Sequence, residues 1–387
     1  MDYNKLIPER ISSMQPSGIR RFFDIAQSVK GVISLSIGEP DFKTPWEARK
    51  EAINILERGK TAYTANSGLM ELRRAVSGYL KGFIRTEYHP ENEIIITVGG
   101  SEAIDLAVRA LIEDGDEVLV PEPSFVCYAP IVKMMGGVPV PIVTKAEDKF
   151  RLTPQALKEK ITPRTKLLFL PYPNNPTGAV MRKSDLQAIA DVLRDTNIIV
   201  ASDEIYAEMT YNGEKHVSFA EIDGMKERTL VISGFSKTYA MTGWRLGYVA
   251  GPEPIIKQML KLHQYCIMSS PTVSQYAAIA AIQRCRADVE HMLSEYDMRR
   301  RLCVKNFNDM GLECFEPEGA FYVFPCIKST GMTSEEFCQK LVYEQKVAVV
   351  PGNAFGKSGE GFVRVSYAYS VAHLESAFAR IREFIKK

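Results

Sequence analysis

The stretch that decides how this chain is read is TLVISGFSKTYAMTGWRLGY, residues 229–248. Its opening, residues 229–232, is β-branched and apolar and reads as a strand. The strand runs into small residues, delivers a single lysine, Lys237, and returns Arg245 eight residues later. A lysine is a nucleophile only when its amine is deprotonated. Packing it among small and apolar groups near another cation lowers its pKa towards that state. The layout suits a Schiff-base lysine beside a bound phosphate. Taken alone, SGFSK also fits a surface lysine in a turn, and the segment by itself leaves both readings open.

Three further segments bear on that choice. NIIVASDEIYAE, residues 197–208, is an apolar run of the kind that fills a parallel sheet, and it ends at Ser202 and Asp203 with Tyr206 three residues on. A carboxylate in that place holds a pyridinium nitrogen protonated, and a phenol meets a ring hydroxyl. Each such charge-assisted hydrogen bond contributes roughly 1.5 to 3 kcal/mol. A helix-capping Asp203 is the plainer alternative. KLLFLPYPNNPTGAV, residues 166–180, is a second apolar strand breaking into an ordinary Pro/Asn/Gly turn, yet it leaves Asn175 at the same sheet edge as Asp203.

In EIIITVGGSEAIDLAVRALIEDGDEVLVPEPSFVCY, residues 93–128, a β-branched strand enters Gly99, Gly100 and Ser101. The helix that follows has Ile104, Ala107, Val108 and Leu111 at the i, i+3, i+4 and i+7 positions. Small residues at a helix start expose backbone N–H groups in the positive end of the helix field, which makes a phosphate seat. Neither the Walker pattern nor G-x-G-x-x-G is present. Phe125, past the next strand, offers a ring to stack on a flat cofactor, worth about 0.5 to 1.5 kcal/mol beyond its area. Taken singly it also reads as core.

These segments fall where strands end, the carboxyl edge at which open α/β sheets bind ligands. Alternating strand-like and helix-like segments predict an α/β fold with a mostly parallel central sheet flanked by helices. Ser184-Asp185-Leu186-Gln187 reads as a capping box for a helix whose apolar face is Leu186, Ile189, Ala190 and Leu193. Past Tyr276, charged helical sequence leads to GLECFEPEGAFYVFPCI, residues 311–327, read as two β-rich pieces around Pro317, Glu318 and Gly319. A chain of 387 residues exceeds one ordinary core. The expected division is an N-terminal segment, 1–45, packing with a small domain; a large α/β cofactor-binding domain, 46–283; and a small C-terminal α+β domain, 284–387.

Composition removes whole classes. The 48 basic and 47 acidic residues nearly cancel, and no basic run interleaved with aromatics occurs, which argues against nucleic acid and membrane surfaces as partners. The seven cysteines are scattered without a C-x-x-C pair and the five histidines are isolated. This fits free thiols in a reducing cytoplasm and no metal site. The N-terminal residues carry no apolar signal core, and no run of eighteen apolar residues appears, so neither secretion nor a membrane span is expected.

From SGIRRFF and SLSIGEPDF through YTANSG, GGSEA, PNNPTG, SDEIY and SKTYAMTGWRLGY to FVRVSYA, the chain resembles the class I/II aminotransferases, pyridoxal-phosphate enzymes of fold type I. The resemblance covers nearly the whole length and is nearest to the bacterial aspartate, alanine and aromatic subgroup. It implies pyridoxal 5'-phosphate held by Lys237, with that lysine moving the proton between the substrate α-carbon and the cofactor. It further implies Asp203 on the ring nitrogen, Tyr206 and Asn175 on the ring hydroxyl, and Phe125 against the ring. Arg245, Ser236 and the backbone of Gly100, Ser101 and Glu102 would hold the phosphate. Arg364 and the Gly38 backbone would take the substrate carboxylate, with Asn175 also a substrate-binding residue, and Tyr63 would reach the phosphate in the neighbouring subunit of a homodimer. One position departs from the pattern. Many relatives carry serine or threonine three residues before the lysine, where this chain has Gly234, leaving Ser236, Ser233 or the backbone alone for that role.

The implied activity is amino transfer from an α-amino acid to a 2-oxo acid such as 2-oxoglutarate. A C–S lyase or other elimination enzyme shares Lys237, Asp203 and Arg364 and is the alternative. A non-catalytic regulator on the same fold is disfavoured, because every catalytic position is kept. Arg20 and Arg21 are candidates to meet a second substrate carboxylate, against the plainer reading of exposed helix-face arginines.

Overall fold

A computed structural model describes residues 1, 3–16, 18–213 and 215–386. Twelve strands are formed among them: β1 Ile33–Ser34, β2 Ile94–Thr97, β3 Glu117–Glu122, β4 Val138–Val143, β5 Thr165–Leu170, β6 Ile199–Asp203, β7 Thr229–Gly234, β8 Gly247–Ala250, β9 Tyr322–Val323, β10 Val347–Ala348, β11 Val350–Pro351 and β12 Val363–Ser366. Seven of them make the central sheet, in the order β2-β8-β7-β6-β5-β3-β4. Strands β4, β3, β5, β6 and β7 pair in parallel, while β8 runs antiparallel to both β7 and β2.

The apolar runs in the sequence are continuous because this sheet is covered on both faces. Along β5, Leu167 and Phe169 enter one apolar cluster and Leu168 and Leu170 the other, all of them buried. Burying a side chain of this size contributes about 1.5 to 3 kcal/mol, so both registers of the alternation are filled with large apolar groups. Helices Gly100–Leu111 and Glu253–Cys266 cover the first face, and helix Lys183–Leu193 covers the second.

A three-stranded antiparallel sheet, β11-β12-β9, belongs to the C-terminal part, and β1 pairs in parallel with β10. The chain's start is thereby stitched to its end, Ile33 facing Val347 and Ser34 facing Ala348. The helix Arg286–Asp309 lies between the two regions in sequence.

Two local expectations are corrected. The helix at 183–193 is capped one residue pair earlier than the S-D-L-Q pattern suggests. Arg182 occupies the N-cap and its N–H donates to Asp185 Oδ2 at 2.9 Å, so Ser184 is already inside the helix. The acidic residue at N3 outweighs the hydroxyl because a carboxylate is the stronger acceptor. Of the two β-rich pieces around residues 317–319, only the second forms a strand, β9. Residues 312–318 have no regular structure, and Cys314 spends its N–H on Asn308 Oδ1.

Candidate active site

The carboxyl ends of the parallel strands deliver side chains from distant sequence into one cavity of about 770 Å³. Its lining includes Gly38, Gly100, Ser101, Phe125, Asn175, Asp203, Tyr206, Ser236, Lys237, Arg245 and Arg364. That volume lies within the roughly 300 to 1,000 Å³ usual for small-molecule sites.

Lys237 follows β7, half-buried, and its Nζ donates to the Gly38 carbonyl at 2.7 Å. Burial, reinforced by Arg364 and Arg245, outweighs the attraction of Glu39 and Asp203 and pulls the amine down to about 8. Two aromatic rings, Tyr206 and Phe321, lie 5.9 and 5.8 Å from Nζ.

Asp203 closes β6 and is buried. Its Oδ2 accepts from the Tyr128 hydroxyl at 2.6 Å and its Oδ1 from the Ile205 N–H at 3.2 Å. Burial raises its pKa, and those two neutral donors only partly oppose the rise. A carboxylate so placed gains most from a cation brought to it. Tyr128 itself is held by stacking on Phe169, 4.6 Å between centroids, with Phe125 edge-on at 6.1 Å.

Arg364 on β12 is buried and tightly framed. Its Nη1 donates to Asn175 Oδ1 at 2.9 Å and its Nη2 to the Ser36 carbonyl at 2.6 Å. The rings of Tyr322 and Phe355 lie 4.5 and 4.9 Å from the guanidinium carbon. Its Nε is buried with no partner among the described residues. An orphaned donor on a buried arginine is costly, and a planar carboxylate satisfies it in a geometry that lysine lacks.

The anion end of the cavity is built on glycine. Gly99 has φ 78°, and a Cβ there would come within 2.7 Å of Arg245 Nη2, so the arginine closes onto bare backbone. The start of helix Gly100–Leu111 lies alongside with its free N–H groups. Arg245 is exposed, has φ 52°, and among the described residues bonds to the Thr242 carbonyl, at 3.2 Å.

Not every anticipated residue reaches the cavity. Glu102 does not line it. Its carboxylate takes the Val98 N–H and pairs with buried His263 Nδ1 at 2.7 Å, which leaves only its backbone N–H for a ligand. Ser233 turns to the Glu204 carbonyl at 3.1 Å, so of the two serines near Gly234 only Ser236 faces the cavity. Tyr63 lies outside the lining and is 82% exposed. The side chains of Arg20 and Arg21 lie outside the described residues. Sequence reasoning missed Tyr128 and Tyr322. Neither sits in a motif with a chemical signature of its own, and Tyr128 reaches Asp203 past the intervening strand β5.

An amine whose pKa is lowered to about 8, a buried carboxylate with neutral donors, an orphaned guanidinium donor and a helix N-terminus beside an exposed arginine thus converge on one space. Such a set suits a flat heterocycle bearing a carbonyl at one end and a phosphate at the other, together with a substrate carboxylate.

Residues 30–381 match the family model for aminotransferase class I and II. The chain is 48% identical to the aspartate aminotransferase of Pyrococcus abyssi over 381 residues, 98% of each chain. It is 45% identical to aromatic-amino-acid aminotransferase 2 of Thermococcus litoralis over 383 residues, again 98% of each. The crystal structure of an aromatic aminotransferase from Pyrococcus horikoshii superposes with a TM-score of 0.91 at 46% identity, covering 95% of this chain and 98% of that one. The chain belongs to the aminotransferase class I and II family, with the fold type I architecture, and is an enzyme of that class.

Proposed function

We propose that the chain transfers the amino group of an α-amino acid, with aspartate, alanine and the aromatic amino acids as the donors to be tried first, to a 2-oxo acid such as 2-oxoglutarate, with pyridoxal 5'-phosphate as its cofactor. The observation that carries this reading is the Lys237 amine, brought down to about 8 in a cavity shared with Asp203 and Arg364. The similarity to enzymes named for aspartate and for aromatic amino acids supports the donor classes.

When bound, the cofactor supplies a conjugated ring that accepts the electron pair released at the substrate α-carbon. Lys237 is the attachment point in the resting protein. With its amine unattached, Lys237 Nζ would take the proton from the substrate α-carbon and give it back to complete the exchange. Asp203, its charge set among neutral donors, keeps a proton on the ring nitrogen. Tyr206 and the Asn175 side-chain amide would address the ring hydroxyl, and Phe125 would stack on the ring. Arg245, Ser236 and the N–H groups of Gly100, Ser101 and Glu102 hold the phosphate. Arg364, with the Gly38 backbone alongside, takes the substrate α-carboxylate through the guanidinium hydrogens that Asn175 and Ser36 leave free. The overall exchange of an amino for an oxo group needs no external oxidant.

On the same footing we propose a homodimer in the cytoplasm with Tyr63 crossing to the partner's phosphate. We also propose the division into residues 46–283 as the cofactor domain, with 1–45 and 284–387 together as the small domain. The β1–β10 pairing supports that division.

The test is reconstitution with pyridoxal phosphate, borohydride reduction and peptide mapping, followed by steady-state assays of an amino-acid panel against 2-oxoglutarate, pyruvate and oxaloacetate. A reduced adduct on a lysine other than Lys237 would sink the assignment. Lys237→Ala is expected to retain the cofactor through its phosphate and ring contacts while yielding no reduced adduct. Release of ammonia without transfer would point to elimination chemistry instead.

A further inference from the structure

Arg364 and Tyr206, which address different ligands in the reading above, meet on one side chain that the reading leaves without a role. Tyr322 lies on β9 opposite Ser366 of β12. Side chains two apart along a strand share a face, so Arg364 stands diagonally across from Tyr322. The tyrosine is buried, its ring 4.5 Å from the Arg364 guanidinium carbon and its hydroxyl 2.8 Å from that of Tyr206. The two tyrosine rings meet edge-on, 5.8 Å apart at 78°. A Cβ on Gly38 would overlap the Tyr322 hydroxyl, and the Gly38 carbonyl is the one that receives Lys237 Nζ. The same side chain therefore packs against the carboxylate-binding arginine, the tyrosine addressed to the ring hydroxyl and the loop that steadies the lysine.

We infer that Tyr322 is a positioning residue with two separable actions: its ring holds the plane of Arg364 for the substrate carboxylate, and its hydroxyl orients that of Tyr206 towards the cofactor. The inference rests on the functional reading above. A buried guanidinium has lost its water, and the faces of Tyr322 and Phe355 replace part of that loss while fixing the fork in one plane. Asn175 and Ser36 then fix its rotation within that plane. A phenol has a single proton. With Tyr322 donating to the Tyr206 oxygen, the Tyr206 proton is free to point into the cavity, and a donor that also accepts is strengthened by polarisation.

The two actions separate by substitution. Tyr322→Phe keeps the ring and deletes the hydroxyl, whereas Tyr322→Leu deletes both; Tyr322→Met replaces the Leu variant if that one fails to fold. Each protein is loaded with pyridoxal phosphate. Two quantities are then read: the pH midpoint of its visible absorption band, and the dissociation constant of 2-oxoglutarate by calorimetry. Tyr322→Phe is expected to move the midpoint by about half a pH unit or more while leaving 2-oxoglutarate binding within about twofold. The Leu or Met variant should weaken 2-oxoglutarate binding about tenfold or more. In a Tyr206→Phe background, the midpoint shift caused by Tyr322→Phe should fall to less than about half, because the two hydroxyls act as one unit.

An unmoved midpoint in Tyr322→Phe, an undiminished shift in the Tyr206→Phe background, or equal loss of 2-oxoglutarate binding in the Phe and Leu variants would each overturn the inference. Those outcomes are read against wild-type protein that loads normally. Wild-type protein that takes up no pyridoxal phosphate overturns the functional reading, and this one with it.

Discussion

At the scale of the residue, the site is governed by what burial does to two charges. Lys237 is pulled down to about 8 chiefly by loss of water. Its reaction with an aldehyde in the cofactor-free protein, trapped by reduction across a pH series, should therefore rise with a midpoint near 8, against about 10.4 for an exposed lysine. A midpoint near that of free lysine would remove the pocket's claim on this residue. The same shift bears on stability. The folded amine gives up its proton at lower pH than the unfolded one, so between about 8 and 10.4 the unfolded chain holds more protons and stability rises with pH. Below that window Lys237 destabilises the cofactor-free fold to its full extent.

Asp203 is shifted the opposite way by the same cause, and its hydrogen-bond donors among the described residues, the Tyr128 hydroxyl and the Ile205 N–H, are neutral. Asp203→Asn preserves shape and removes charge, so the half-reaction with a good donor should slow by about a hundredfold or more at full cofactor occupancy. Asp203→Glu should be milder. Near-native turnover in the Asn variant would argue that the ring nitrogen is held by something else.

At the scale of the element, the packing of β7 on β8 explains the one departure from the family pattern. A Cβ on Gly234 would come within 2.9 Å of both Gly247 Cα and the Leu246 carbonyl. A Cβ on Gly247 would in turn meet the Gly99 carbonyl carbon at 2.6 Å and the Gly100 nitrogen at 2.7 Å. The glycines form a close stack from β7 through β8 to the start of helix Gly100–Leu111, and backbone atoms cannot retreat as a flexible side chain would. Gly234→Ser should therefore lower stability by about 1 to 3 kcal/mol without tightening cofactor binding. Thermal unfolding and cofactor titration of the variant check both halves. A serine that raised cofactor affinity at no thermal cost would show that the stack has room for it.

At the scale of the whole molecule, a large apolar-edged phenol stands open to solvent, for Tyr63 is 82% exposed and contributes nothing to its own chain's cavity. Shared sites in a two-fold dimer give it a use. In a mixed dimer of a Lys237→Ala chain with a Tyr63→Ala chain, one site inherits both defects and the other receives an intact Lys237 and an intact Tyr63. Co-refolding the two weak variants should raise activity above either parent. If mixed dimers form and activity only averages the parents, Tyr63 acts within its own chain or has no part in the reaction.

The sequence by itself determined the elements and the edge at which chemistry gathers. Apolar runs ending in Asp203, in the turn before Asn175 and in the glycines before Ser101 are local patterns, and strand ends in a parallel sheet share one side by construction. Lys237 alone fitted a turn lysine equally well and became legible only beside the segments that carry Asp203, Asn175 and the glycines before Ser101. Only the tertiary structure decided how those groups are held. That Tyr128 donates to Asp203 past an intervening strand, that Tyr322 lies between Arg364 and Tyr206, and that Glu102 turns away to His263 are contacts between residues 75, 42, 116 and 161 positions apart, respectively. No periodicity encodes them. The vacancy at Gly234 was visible as an anomaly, but its reason, the approach of one backbone to another, exists only once β7, β8 and the helix start are packed together.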